Sequence, residues 1–131
     1  MITQHVIVAY FDAFNHGDRQ AMLDLLAEDI EHHVNQGARR QGKAAFAEFC
    51  THMDHCYSEN LTDIVIFSAG NRAAAEYTVN GVYKADDAGL PPATGQAYHL
   101  PAGSFFTLRD GLIARVTTYY NLQDWIRQVS D

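Results

Sequence analysis

The side chains able to do chemistry in this chain are a histidine pair, His32-His33, a second group of His52, His55 and Cys56, and tyrosines beginning with Tyr10. Imidazole exchanges protons near neutral pH. A phenol donates a hydrogen bond to an oxygen that gathers charge. His52, His55 and Cys56 have metal-ligand spacing, since residues three or four apart on a helix share a face. Met53 marks the buried stripe of that segment, however, which turns both histidines toward solvent. The reading therefore assigns no metal and no cofactor. Cys56, on or near a packed helical face, is a poor nucleophile. The chain has no Gly-rich phosphate loop, no Gly-x-Ser-x-Gly elbow and no Ser-His-Asp order, which disfavours nucleotide-dependent and covalent hydrolytic chemistry.

These residues must be positioned by a small set of elements. Residues 3–15 carry Val6, Ile7, Tyr10, Phe11 and Phe14 at helical spacing. Asn15-His16-Gly17 closes that helix, with Gly17 as a left-handed cap. Asp18 caps a second helix with Met22, Leu23, Leu25 and Leu26 as its apolar stripe. Residues 29–36 suit a short strand. Gly42 opens a third helix through Phe46, Phe49, Cys50, Met53 and Tyr57. Residues 61–68 and 72–84 predict a hairpin about Ala69-Gly70-Asn71, and 97–109 with 112–121 a second about Arg109-Asp110-Gly111. Leu122, Trp125, Ile126 and Val129 mark a last helical turn or two. Residues 85–96, with Asp86-Asp87, Gly89 and Pro91-Pro92, are not periodic and admit two readings: a flap over a cavity mouth, or a long polar connection. Helices ahead of an antiparallel sheet make an α+β layer architecture, a single domain over residues 1–131.

Composition bounds the partners. With 47% hydrophobic and 19% charged residues, the chain can bury a core without disulfides or a structural metal. A formal charge of −7 opposes phosphate backbones, and Arg39, Arg40 and Lys43 are the only basic cluster. No apolar run is long enough to span a bilayer, and Met-Ile-Thr-Gln-His lacks a basic region followed by an apolar stretch. Cys50 and Cys56, six apart on a predicted helix, point to different faces and do not bridge. The expectation is a cytoplasmic protein with neither a nucleic-acid nor a membrane partner.

Asn15-His16-Gly17-Asp18, Ala27-Glu28-Asp29, Gly42-Lys43-Ala44-Ala45-Phe46, Phe105-Phe106 and Asp110-Gly111-Leu112-Ile113 together resemble the SnoaL-like, ketosteroid isomerase-related branch of the NTF2-like superfamily over nearly the whole chain. The resemblance implies a cone-shaped fold with a blind pocket inside a strongly curved sheet, and a homodimer through the sheet's outer face. It places Tyr10 where the isomerases hold the tyrosine that donates to the substrate oxyanion. It also places Val34 at the proton-shuttling aspartate and Gly103 at the second, protonated aspartate. Those two roles need carboxyl groups, so a true ketosteroid isomerase is not expected.

If Val34 points into the cone, period-two alternation sends His32 and Gln36 inward too, whereas a bulge would swap in His33 and Asn35. His32 is the first candidate for a replacement acid or base. Alternation from Val79 turns Tyr77 inward and Glu76 to the opposite face; Thr118 and Tyr120 share the inward parity. The candidate site is thus Tyr10 and His32 as catalytic groups. Phe14, Val34, Tyr57, Tyr77, Phe105, Thr118 and Tyr120 are its wall, and Asn35 and Gln36 orient a polar end. The expected function is binding of a small hydrophobic, carbonyl-bearing molecule, with proton-transfer chemistry of isomerase, cyclase or dehydratase type. The alternative is a non-catalytic ligand-binding or protein-interaction module.

Overall fold

The computed structural model describes residues 2–130, so Met1 and Asp131, the ends of the predicted 1–131 unit, lie outside it. The elements are α1 (Ile2–Asn15), α2 (Arg19–Asp24), β1 (Leu26–Val34), β2 (Arg40–Gln41), α3 (Lys43–Cys56), β3 (Tyr57–Ala69), β4 (Arg72–Tyr83), β5 (Gln96–Arg109), β6 (Leu112–Tyr120) and α4 (Leu122–Val129). The strands form one unclosed sheet in the order β2-β1-β6-β5-β4-β3. All neighbours run antiparallel except β1 and β6. Register shifts at 26–31, 62–65 and 107–108 bend the long strands, as bulges do, and give the sheet its curvature. This is an α+β cone.

The concave face holds the core. Along β4 the residues Ala73, Ala75, Tyr77, Val79 and Tyr83 are buried, while Arg72, Glu76 and Val82 on the other parity are exposed, the alternation expected of a sheet covered on one side. Asn15 fixes α1 to that sheet. Its Nδ2 donates to the Leu61 carbonyl at 2.9 Å and its Oδ1 accepts from the Leu61 N–H at 2.8 Å. The contact lies beside the bulge where Asp63 takes φ 56°. Gly17, at φ 69°, turns the chain, and Asp18 caps α2 by accepting from the Ala21 N–H.

Two expectations shift. Leu26 is not on the α2 stripe but opens β1, because α2 stops at Asp24. Tyr57 is not the end of α3 but the first residue of β3, at φ −135° and ψ 151°. In both places a buried apolar residue fits helical and strand periodicity equally well over one turn, so the boundary was set by the sheet. Cys50 and Cys56 are free and buried. Among the described residues no helix is long and apolar enough to cross a membrane.

Candidate functional site

A cavity of about 580 Å³ opens between the concave sheet and the helices, within the size range of small-molecule sites. Tyr10, Phe14, His32, Val34, Asn35, Tyr57, Tyr77, Thr118 and Tyr120 all line it. Gln36 does not. Asn35 and Gln36 take left-handed φ of 52° and 61°, which ends the strand's alternation at Val34. Gln36 then turns to a shallow outer depression with His33, Arg115 and Tyr119. Asn35 instead accepts from the Tyr120 N–H at 2.8 Å while its own N–H donates to the Thr118 carbonyl.

Phe105 also lies elsewhere. Tyr98, Leu100, Ser104 and Phe106 of β5 are buried and Ala102 lines the cavity, so Gly103 and Phe105 belong to the outer parity. Phe105 is 46% exposed and packs edge-on against Tyr119. The strand position carried over as Gly103 therefore has inward neighbours Ala102 and Ser104, and neither is a carboxyl group.

Tyr10 sits in a T-shaped arrangement with Phe11 and Phe106. Burial, then the neighbouring Tyr77 and Cys50, push its hydroxyl far above the ordinary tyrosine range, so it is a neutral donor. His32 is buried at the edges of Phe46 and Phe49, 4.9 and 4.6 Å away between ring centroids. Burial first, then Arg40 and His33, hold it down to about 4. Arg40 is its direct partner across β2 and β1. A neutral imidazole results, and its buried Nδ1 has no partner among the described residues. At neutral pH such a group is a hydrogen-bonding contact and a weak base.

Three carboxyl groups line the same cavity without having been read from the sequence as site residues: Asp54, which is paired with Arg19, and Glu59 and Asp87. Glu59 projects inward from β3, in the alternation Tyr57, Glu59, Leu61. Burial raises its pKa, opposed by the hydrogen bond from Tyr98 and by Arg19. The Tyr98 hydroxyl donates to Glu59 Oε2 at 2.6 Å. Asp87 comes from the 85–95 connection, where Oδ2 accepts from the Tyr57 hydroxyl at 2.7 Å and Oδ1 lies 3.0 Å from His52 Nε2. Glu59 was legible: extending the β3 alternation back from Leu61 finds it. Asp87 was not, because its segment has no period.

The 85–95 connection is tied down over the cavity. The Tyr83 hydroxyl donates to the Pro91 carbonyl and accepts from the Asp87 N–H, and Asp86 Oδ1 accepts from the Ala93 N–H. Leu90 reaches the cavity wall. Deeper in, Tyr77, Ser104 and Thr118 form a hydroxyl chain with steps of 2.7 and 2.8 Å. Arg19 is held by a two-pronged contact with Asp54 and lies over the Phe14 ring, so its charge is neutralised locally. The set amounts to an aromatic cavity with neutral phenol donors and one shielded carboxyl, suited to moving a proton on an oxygen-bearing molecule.

Known structures place this geometry in context. A candidate polyketide cyclase from Silicibacter sp. TM1040 is 64% identical, with 98% of this chain and 96% of that one covered and a TM-score of 0.96. A candidate polyketide cyclase from Pseudomonas putida KT2440 is 56% identical, with 98% of both chains covered and a TM-score of 0.96. An NTF2-like protein of unknown function from Burkholderia pseudomallei K96243 shares the fold at 14% identity, with a TM-score of 0.85 over 100% of this chain and 99% of that one. No curated protein matches the chain. The family profile described as SnoaL-like domain matches residues 7–116. The chain belongs to the SnoaL-like family, with the NTF2-like fold.

Proposed function

We propose that the protein binds a small, largely apolar molecule bearing carbonyl oxygens and catalyses its cyclisation or isomerisation by proton transfer. The observation that carries this reading is Glu59, a shielded carboxyl with a raised pKa facing the same cavity as the Tyr10 hydroxyl. The candidate polyketide cyclases at 64% and 56% identity support the reaction class. In the cyclase form, Glu59 removes a proton from the carbon beside a carbonyl, and the Tyr10 hydroxyl donates to the resulting enolate oxygen. That carbon attacks a second carbonyl, a carbon–carbon bond forms, and Glu59 returns its proton to the new alkoxide. His32 and the Tyr77–Ser104–Thr118 hydroxyls hold the ligand's remaining oxygens.

The same reading takes the outer sheet face as a homodimer surface. Phe67, Ala74 and Phe105 share one cross-strand row, and Val65, the exposed Glu76, Gly103 and Tyr119 another. Val65, Phe67, Phe105 and Tyr119 are exposed there, an apolar patch of the kind that marks association surfaces.

A thermal-shift screen of hydrophobic diketones, enones and polyketide-like aromatics tests the site, with wild type beside Tyr10→Phe and Glu59→Gln. The expected result is a ligand that raises the wild-type midpoint, whose cyclisation or isomerisation falls about 10²–10⁴-fold in Glu59→Gln. A ligand that binds all three forms and is never turned over would leave a binding module. No shift with any compound would remove the cavity from consideration.

A further inference from the structure

His52, Cys56 and Asp87 bring an imidazole Nε2, a thiol Sγ and a carboxylate oxygen within 4.8 Å of one another. His52 and Cys56 are one helical turn apart at the end of α3, so both face the 85–95 connection. His52 Nε2 lies 4.0 Å from Cys56 Sγ and 3.0 Å from Asp87 Oδ1. Donors around a tetrahedral zinc ion, about 2.0–2.3 Å from the metal, stand about 3–4 Å apart. The second carboxylate oxygen of Asp87 accepts from the Tyr57 hydroxyl, an outer partner of the kind that orients a metal-bound carboxylate. Asp86 adds a neighbouring negative charge, and its carbonyl faces the Cys56 thiol at 3.6 Å. The carboxyl end of α3 adds the negative pole of the helix. His52 and Asp87 both line the cavity, which puts this donor set in its wall.

The geometry points to a zinc-type divalent-cation site formed by His52, Cys56 and Asp87, joining α3 to the connection that covers the cavity. The mixed nitrogen, sulfur and oxygen donors select a borderline transition ion over calcium or magnesium, which take oxygen ligands. His55 is exposed and is not among the donors that converge. Neither Glu59 nor Tyr10 belongs to this donor set, so the site stands apart from the proposed reaction.

Cobalt(II) serves as the probe, added to the reduced protein in a thiol-free buffer. The expected result is saturation at one equivalent per chain, with a near-ultraviolet thiolate-to-cobalt charge-transfer band that zinc abolishes by displacement. Cys56→Ser loses the band while Cys50→Ser keeps it. His52→Ala, a change at an exposed position that leaves the fold intact, weakens binding sharply, and Tyr57→Phe weakens it about 10-fold. Absence of the band in folded wild-type protein overturns the site. So does cobalt affinity that is equal in wild type, His52→Ala and Cys56→Ser.

Discussion

Tyr98 reaches Glu59 across the bare backbone of Gly81. The three residues are in register on β5, β3 and β4, with Gly81 between the other two. The Tyr98 phenol passes over it to donate at 2.6 Å. This contact holds the cavity carboxyl in place and partly offsets the effect of its burial.

Removing the donor therefore has a defined sign. Tyr98→Phe takes away the hydrogen bond that lowers the Glu59 pKa, so its titration midpoint moves further up. Carbon-13 NMR of the Glu59 carboxyl reads this directly, and an unchanged midpoint would sever the two residues functionally. The proton-donating form of Glu59 then persists to higher pH, and the rising limb of any pH–rate profile follows it.

Gly81 permits the crossing because it has no Cβ. A Cβ there would lie 2.2 Å from the Tyr98 ring, and the ring is packed in an aromatic group with Tyr57 and Trp125. Gly81→Ala is expected to cost about 1–3 kcal/mol, the range for overpacking a filled core. Urea unfolding measures the loss. Stability equal to wild type would mean that the ring has room to move.

His32 makes stability depend on pH in a known direction. Its folded pKa is about 4 against an ordinary 6.5, so between those values the unfolded chain binds a proton that the folded chain does not. Stability is thus complete above about pH 6.5 and declines as pH falls toward 4, at about 1.4 kcal/mol per unit of displacement. His32→Gln flattens this slope in denaturant titrations run across that window. An identical slope in both proteins would assign the acid sensitivity to other groups.

The Asn15 clamp on Leu61 replaces two backbone partners at a strand irregularity. Asn15→Ala leaves the Leu61 N–H and carbonyl without them and is expected to cost about 1–3 kcal/mol. Hydrogen exchange at Leu61 should quicken more than at the centre of β4. Uniform protection would show that water replaces the side chain without loss.

On the outer face, sedimentation is expected to give the mass of two chains for wild type. Phe67→Lys combined with Phe105→Lys should give the mass of one, with an unchanged circular dichroism spectrum. A monomeric wild type would withdraw the dimer.

Much of the architecture lay in local pattern. The 3.6-residue spacing through Tyr10, Phe11 and Phe14, the Asn-His-Gly-Asp turn and the Arg-Asp-Gly hairpin each dictate structure within a few residues, and the order of elements followed from them except for the two-residue β2. Period-two alternation also set Tyr77, Thr118 and Tyr120 on the cavity side. It failed where the period itself was interrupted, and it had not been applied to β5. Left-handed residues at 35 and 36 turned Gln36 away, and Phe105, named as a wall residue without a parity count, lies on the outer parity of β5. The meeting of Glu59 with Tyr98, and of Asp87 with Tyr57, His52 and Cys56, had no local signature at all. Those partners stand about 30 or more positions apart in the chain, and only the pairing of curved strands and the tethering of the 85–95 connection brought them together.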